Sequence, residues 1–301
     1  MLAQLLRRML LAQFFMGAAL GLLLNRFAGG SMGWVVALAV ALPLLTTTLA
    51  HLLSAMKSRA PAESPTLWWR SVWGEIGAGI RIFMLRQPWT TRPPVYLAAT
   101  GGAAPAPLVP VVLVHGYVCN HRIWDDTIAA LRAQGHPVLA VDLEPLFTSI
   151  DKYAPIVEAA VAEICRQAGA RQVALLGHSM GGLAIRAWLR AHGTERVAKV
   201  LTLGTPHAGT RLARRARTPN GRQMVWRSKW LARLAAHESE ATRALMRIAI
   251  TAQDNIVYPQ RAQVLPGVET TVFEGMGHLQ MCLEKPVIDW VLAQLAPLHP
   301  H

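Results

Sequence analysis

The chain has 301 residues, 52% of them hydrophobic, so it can bury a sizeable core and a disordered protein is excluded. Its 30 basic and 17 acidic residues give a formal net charge of +13, but the basic residues are spread along the chain without any nucleic-acid motif. A basic surface suited to anionic lipid headgroups is therefore favoured, and no nucleic-acid partner is expected.

Two apolar stretches open the chain. No Asp, Glu, Lys or Arg occurs between Met9 and Asn25 or between Phe27 and Met56. A helix needs roughly 20 residues to cross about 30 Å of hydrocarbon, so the second stretch spans easily and the first is marginal. A cleaved signal peptide is the alternative for the first stretch, but a second span that follows directly favours a hairpin. We predict a membrane anchor of two transmembrane helices over residues 1–60.

The positive charges around this hairpin predict its orientation. Arg7 and Arg8 precede it, whereas Arg26 stands alone at its tip. After the hairpin come Lys57, Arg59 and Arg70. The positive-inside rule then places both ends, and the catalytic domain with them, on the cytoplasmic side of the membrane. A fusion reporter after Lys57 that is active only outside the cytoplasm would contradict this orientation.

Residues 61–107 form a predicted linker that is rich in tryptophan and arginine. Its aromatic residues include Trp68, Trp69, Trp73, Phe83 and Trp89. Tryptophan together with arginine suits the headgroup layer, which predicts an interfacial helix. A helix packed on the folded domain is the alternative, and the two can hold for different faces.

From residue 108 onward, short apolar runs alternate with helical stretches of ten or more residues. The runs are Val111–Val114, Val138–Val141, Val173–Leu176 and Val197–Leu203. Runs this apolar are typical of strands that are buried on both faces. The alternation predicts an α/β catalytic domain over residues 108–301, with a parallel sheet that is covered by helices.

The third run ends in Gly177-His178-Ser179-Met180-Gly181, and a helical stretch follows. A sharp strand-to-helix turn of this kind strains the serine backbone and leaves no room for side chains on either side. Because the motif stands between a strand and a helix, it predicts that Ser179 is a nucleophile.

With Val114-His115-Gly116-Tyr117 and Gly204-Thr205-Pro206-His207-Ala208-Gly209-Thr210, this turn resembles the α/β-hydrolases, specifically bacterial triacylglycerol lipases and esterases. The resemblance covers roughly residues 108 to 295. It implies the α/β-hydrolase fold. It does not cover the N-terminal hairpin, which we expect to lie in a bacterial inner membrane. It also implies a serine hydrolase of carboxylic esters with a lipid-like substrate and no metal or organic cofactor.

The same resemblance assigns the base and the acid. In this fold the order along the chain is serine, acid, histidine. His278, in a glycine-rich loop after the apolar run 270–273, matches the base, and Asp254, after the run 248–250, matches the acid. His207 is a reserve base and Asp142 a reserve acid.

The backbone N–H groups of Met180 and Tyr117 match the two donors that stabilise the oxyanion in this family. Glu238 and Glu240, in the region between the strands, and Asp289, in the last helical stretch, are expected to be solvated surface groups. The cysteines, Cys119, Cys165 and Cys282, show neither CxxC spacing nor a histidine cluster, and we expect reduced structural thiols.

Residues 210–249 lie between the fourth run and the run before Asp254. Their helical composition predicts a cap over the active site with an apolar acyl pocket. A core-packed helix pair with a basic outer face is equally open.

Two other functions remain at this stage. One is an acyltransferase or polyester depolymerase with the same triad, which product analysis in the presence of alcohols would reveal. The other is a catalytically silent membrane protein that binds a lipid or a partner. The presence of nucleophile, base, acid and oxyanion loop together argues against the silent protein.

Overall fold

The computed structural model describes residues 1–29, 31–60, 64–90, 96–97 (backbone only), 108–296 and 298. Parts of the predicted linker, residues 61–63, 91–95 and 98–107, therefore lie outside the described residues. The helices are α1 (Leu2–Ala28), α2 (Gly33–Ser58), α3 (Pro65–Ile80), α4 (Asp125–Gln134), α5 (Ala154–Ala168), α6 (Met180–His192), α7 (Pro219–Gln223), α8 (Lys229–Ala236), α9 (Glu240–Ala244) and α10 (Lys285–Leu295). The strands are β1 (Tyr96–Leu97), β2 (Val111–Val114), β3 (Val138–Val141), β4 (Val173–His178), β5 (Val197–Leu203), β6 (Met246–Thr251) and β7 (Thr270–Phe273).

The strands form one sheet in the order β1-β3-β2-β4-β5-β6-β7. β1 pairs antiparallel with β3, and every other pairing is parallel. All residues of β2, β3 and β4 are buried, as expected for strands covered by helices on both faces. The carboxyl ends of β4, β5 and β6 therefore meet at one edge of the sheet, where ligand sites form in open α/β sheets.

Two hydrophobic clusters cover the two faces of the sheet. One contains residues of α5, α6 and α8, including the fully buried Trp188. The other contains residues of α4 and α10, including Trp124. Every residue from Met180 to Leu189 of α6 is buried, so the helix that begins directly after Ser179 is held rigidly in the core.

Helices α1 and α2 are both long and apolar enough to cross a membrane, and only 11% of the most apolar window in each is buried. Gly17 and Gly21 stand one helical turn apart and face α2. A side chain at Gly17 would collide with the backbone of Leu38, and one at Gly21 would collide with Val35. Small residues at this spacing let two helix backbones approach closely.

The base of the hairpin is docked on the rest of the protein. Leu2 and Leu6 are buried, and the Arg7 guanidinium donates to the carbonyl of Pro88 at 2.8 Å. Arginine is a good helix former, and α1 runs through both Arg7 and Arg8. α1 therefore begins well before the apolar stretch from which the first span was predicted.

Helix α3, within the predicted linker, is packed against the folded protein along one face. Trp68, Val72 and Ile76 are buried against α2, and Ile82, in the π-helical turn that follows, joins the core under the sheet. Trp69 and Trp73 on the other face remain 47% and 64% exposed. The packed face agrees with a helix on the folded domain, and an interfacial role of the exposed face stays a prediction.

The predicted cap region consists of short helices that are partly packed into the core. Trp230, Leu231 and Leu234 of α8 are buried, whereas Leu212 lines the cavity at Ser179. The region ends earlier than the predicted limit of residue 249, because Met246 already pairs with Val200 in the sheet.

The expectation that Glu238 is a solvated surface group is wrong. Its carboxylate forms an ion pair of 2.5 Å with Arg186 of α6, and the two side chains are 6% and 0% exposed. A buried guanidinium requires such a partner. Glu240 is exposed, and Asp289 is exposed and paired with Lys285.

Candidate active site

Ser179 stands in a strained turn between β4 and α6. Its backbone has φ 56° and ψ −128°, a conformation that costs a non-glycine residue free energy and persists only where its surroundings impose it. A side chain at Gly177 would crowd Gly182, and one at Gly181 would collide with the carbonyl of Val114. The sequence therefore forms this turn only with glycine on both sides of the serine.

The loop after β2 runs directly against the serine. A side chain at Gly116 would come within 2.6 Å of the Ser179 Cβ atom, and Tyr117 lines the same cavity as Ser179. Met180 is the first residue of α6, where backbone N–H groups have no acceptor within the helix. The two backbone segments predicted to supply the oxyanion donors thus flank the serine.

The structure brings His278 and Asp254 together. The Nδ1 atom of His278 lies 2.7 Å from the Oδ2 atom of Asp254, and both side chains are buried. The other carboxylate oxygen of Asp254 accepts hydrogen bonds from the backbone N–H groups of Ile256 and Val257. Asp254 is thereby fixed in position, and its bond to Nδ1 leaves Nε2 of His278 for a second partner.

Two opposing effects act on the pKa of His278. Burial alone would lower it, but the charge and hydrogen bond of Asp254, together with the charge of Glu75, outweigh burial and raise the pKa above its ordinary value of 6.5. The imidazolium form is thus stabilised, as a base that takes up a proton during a reaction requires.

Glu75 of α3 is a site residue that the sequence analysis missed. Its fully buried carboxylate accepts hydrogen bonds from the backbone N–H groups of Leu279, at 2.9 and 3.0 Å, and of Gln280, at 3.2 Å. Burial raises the pKa of Glu75. No motif marks this residue, because it lies about 200 positions before the loop that it holds.

The loop that carries His278 is also tied to α2. The backbone N–H of His278 donates to the Oδ1 atom of Asn255 at 3.2 Å. The side-chain amide of Asn255 in turn donates to the Ser54 hydroxyl at 2.9 Å. The position of the imidazole therefore depends on the N-terminal segment as well as on the sheet.

His178 lies beside His278 without adding charge. The two ring centroids are 4.6 Å apart, and Nε2 of His178 donates to the backbone carbonyl of His278 at 3.1 Å. Burial, followed by the charge of His278, holds the pKa of His178 well below 6.5. The ring thus supports the His278 loop as a neutral group.

The reserve candidates lie in other hydrogen-bond networks. His207 stands between Thr202 and Arg186, and burial together with the Arg186 charge holds its pKa well below 6.5. Asp142 accepts from the backbone and ring of His121 at 2.7 and 3.0 Å. Neither group is among the described residues that line the cavity at Ser179, and neither is bonded to His278.

Ser179 and His278 share a cavity of about 200 Å³. It is lined by His51, Glu75, Phe83, Gly116, Tyr117, Cys119, His178, Ser179, Leu212, Ile256, His278 and Leu279. Burial raises the pKa of Cys119 to about 12, so its thiol is protonated and is a poor nucleophile. Among the described residues, no cluster of three or more His, Cys, Asp or Glu side chains could hold a metal ion.

The substitution Glu75→Gln tests the role of the carboxylate. A carboxamide has only one oxygen to accept from the N–H groups of Leu279 and Gln280, whereas the carboxylate has two. We therefore expect kcat/KM for an ester to fall at least about tenfold, which is about 1.4 kcal/mol of activation free energy.

His278 must be neutral to accept a proton, so the activity of the wild type should rise with pH through the raised pKa of His278. Loss of the Glu75 charge should move this rise to lower pH.

The matched control is Glu274→Gln, which removes an exposed carboxylate on the segment just before the same loop and should change neither rate nor pH profile. A slower Glu75→Gln variant with an unshifted profile would show that the carboxylate acts only on structure.

Comparison with known protein families supports this fold. A family profile described as alpha/beta hydrolase fold matches residues 109–244. The mature form of lipase BlEst2 from Bacillus licheniformis superposes with a TM-score of 0.57 at 20% identity, covering 67% of this chain and 99% of the lipase. Lipase B of Aspergillus fumigatus superposes with a TM-score of 0.52 at 16% identity, covering 64% of this chain and 54% of that protein.

Two sequence relatives match a shorter segment. A triacylglycerol lipase of Pseudarthrobacter phenanthrenivorans is 34% identical over 113 residues, which is 35% of this chain and 35% of the lipase. A non-heme haloperoxidase of Rhodococcus erythropolis is 31% identical over 103 residues, 32% of this chain and 36% of that protein. The match thus spans about a third of each relative. The predicted fold class, an α/β-hydrolase fold with a mostly parallel sheet between helices, is confirmed.

Proposed function

We propose that this α/β-hydrolase fold carries a membrane-anchored serine hydrolase that cleaves carboxylic esters of a lipid-like kind. The observation that carries the proposal is that Ser179, held in a strained turn, shares a cavity with His278, whose Nδ1 atom is bonded to Asp254 at 2.7 Å. This is the arrangement of nucleophile, base and orienting acid that acyl transfer requires.

In the proposed reaction the Ser179 hydroxyl oxygen attacks the ester carbonyl carbon, and its proton passes to Nε2 of His278. The backbone N–H groups of Tyr117 and Met180 stabilise the oxyanion of the tetrahedral intermediate. The intermediate expels the alcohol, which takes the proton from His278, and leaves an acyl group on Ser179. Water, deprotonated by His278, then releases the acid and restores the hydroxyl.

The lining of the cavity supports an apolar substrate. Its apolar walls include Phe83, Leu212, Ile256 and Leu279, and such walls bind ligands mainly by burying apolar area. Within the described residues no arginine or lysine lines this cavity, which disfavours a substrate with a phosphate or carboxylate close to the scissile bond.

The N-terminal hairpin is the proposed membrane anchor. Its apolar residues are largely uncovered, for example Phe27 at 77% and Val36 at 67% exposed, whereas a core helix of a soluble protein would be buried. The start of α1 is bonded to later parts of the chain, since the backbone N–H of Leu2 donates to the Glu144 carboxylate at 3.1 Å and Arg7 donates to the carbonyl of Pro88. These contacts support a retained segment rather than a removed leader. We place the domain on the cytoplasmic side of the inner membrane, which a reporter fused after Lys57 would test.

The full-length protein should be treated with a fluorophosphonate probe and the modified residue identified by mass spectrometry. We expect a single adduct on Ser179 and hydrolysis of p-nitrophenyl acyl esters. A protein that neither reacts with the probe nor hydrolyses any ester would contradict the proposal and favour the silent lipid-binding protein. Ester products formed from added alcohols would instead indicate an acyltransferase.

A further inference from the structure

A second cavity of about 330 Å³ lies between the N-terminal hairpin and the catalytic domain. It is lined by Leu5, Leu6, Met9, Leu10, Gln13, Thr46, Thr47, Ala50, His51, Phe83, Met84 and Val118. We call it the hairpin groove. Its wall on α1 runs from Leu5 to Gln13, about 12 Å at the rise of a helix.

The hairpin groove meets the catalytic cavity. His51 and Phe83 line both spaces, so these two side chains stand at the junction. Val118 of the groove directly follows Tyr117, whose backbone is the proposed oxyanion donor. An unbranched chain attached to a carbonyl group at Ser179 would reach the groove by passing between these two side chains.

The two ends of the groove differ in character. The junction end carries His51, whose ring nitrogen is bonded to the carbonyl of Thr47 at 2.8 Å. At the far end Gln13 donates to the Thr46 hydroxyl at 3.1 Å, so these polar groups satisfy each other. The wall between them is mostly aliphatic, with Leu6 one turn of α1 before Met9 and Leu10, and suits an alkyl chain.

We propose that the hairpin groove binds the acyl chain of the ester while its carbonyl group lies at Ser179, so that the N-terminal hairpin determines acyl-chain preference. This inference rests on the proposed function. The two cavities together reach the size of typical small-molecule sites, roughly 300–1,000 Å³, which the space at Ser179 alone does not. The hairpin is then part of the substrate site as well as an anchor, and a chain can enter from the lipid layer around α1 and α2.

The test uses the full-length protein in phospholipid vesicles and compares kcat/KM for p-nitrophenyl laurate with that for p-nitrophenyl acetate. Because the alcohol is constant, the ratio reports on the acyl chain alone. Ala50→Phe should fill the groove and lower the laurate-to-acetate ratio at least about tenfold, as expected if two methylene groups lose their burial. Met9→Ala should remove part of the wall and lower the ratio about threefold or more.

Each variant has a matched control on its own helix. Ala37→Phe makes the same change on α2 at an exposed residue outside the groove. Met16→Ala makes the same change on α1, and Met9 and Met16 are 51% and 52% exposed. Both controls should keep the wild-type ratio.

Ratios within about twofold of wild type in both groove variants, with probe labelling of Ser179 intact, would overturn the inference and leave the proposed function standing. An equal fall in the controls would also overturn it, since the effect would then belong to the hairpin in general. If Ala50→Phe loses labelling through misfolding, the laurate-to-acetate ratio of Met9→Ala, compared with that of Met16→Ala, decides whether the inference holds. A wild type that hydrolyses neither ester would contradict the proposed function itself.

Discussion

Ser179→Ala is expected to abolish ester hydrolysis, with kcat reduced on the order of 10⁶-fold as for the loss of a triad nucleophile. The reason is that the acyl-enzyme cannot form without the hydroxyl, and an unassisted water must attack instead. Labelling by a fluorophosphonate should disappear in parallel. Both are measured on the full-length protein with a p-nitrophenyl ester and the probe.

The loss should be chemical and not structural. Alanine meets the same restriction at φ 56° as serine, and no hydrogen bond of the Ser179 side chain holds the fold together among the described contacts. The melting temperature should therefore stay close to that of the wild type. Ser31→Ala, on the exposed connection between α1 and α2, is the matched control and should keep full activity. Labelling that persists in Ser179→Ala would refute Ser179 as the nucleophile.

Asp254→Asn is expected to reduce kcat about 10⁴-fold, the scale seen when the orienting carboxylate of such a triad becomes an amide. The Oδ2 atom of Asp254 accepts from Nδ1 of His278. An amide nitrogen in its place can donate to Nδ1 and so favour the tautomer in which Nε2 carries the proton. In that tautomer Nε2 cannot accept a proton from Ser179. Because the Asp254 charge raises the pKa of His278, residual activity should also begin to rise at lower pH.

Asp142→Asn is the control for this assignment. Asp142 is the other acid that the sequence offers, and its partner is His121. We expect this variant to keep most of the activity. If Asp142→Asn lost as much as Asp254→Asn, or if Asp254→Asn were fully active, the assignment of the acid would be wrong.

Local patterns along the chain predicted much of this protein. The four apolar runs predicted the buried strands β2 to β5, because a strand covered on both faces must be apolar throughout. The spacing of glycines around Ser179 predicted the strained turn, since only glycine fits where a helix leaves a strand so sharply. The same local logic predicted the apolar hairpin, whose helices are long enough to span.

Groups whose roles depend on distant partners could not be predicted in this way. From the sequence, Glu238 is expected to be a surface carboxylate. The structure pairs it with the buried Arg186, which lies 52 positions earlier in the chain. Glu75 reads as one charge in a tryptophan-rich linker until the fold places α3 beneath the loop of His278.

The sequence by itself determined where the buried strands, the strained turn at Ser179 and the apolar hairpin lie, because each depends on residues within a few positions of one another. The tertiary structure alone decided that His51, Glu75 and Phe83 of the N-terminal segment reach the cavity of Ser179. The physical reason is that a buried carboxylate or a shared cavity wall depends on side chains that only folding brings into contact. No local pattern in the sequence predicts such a contact.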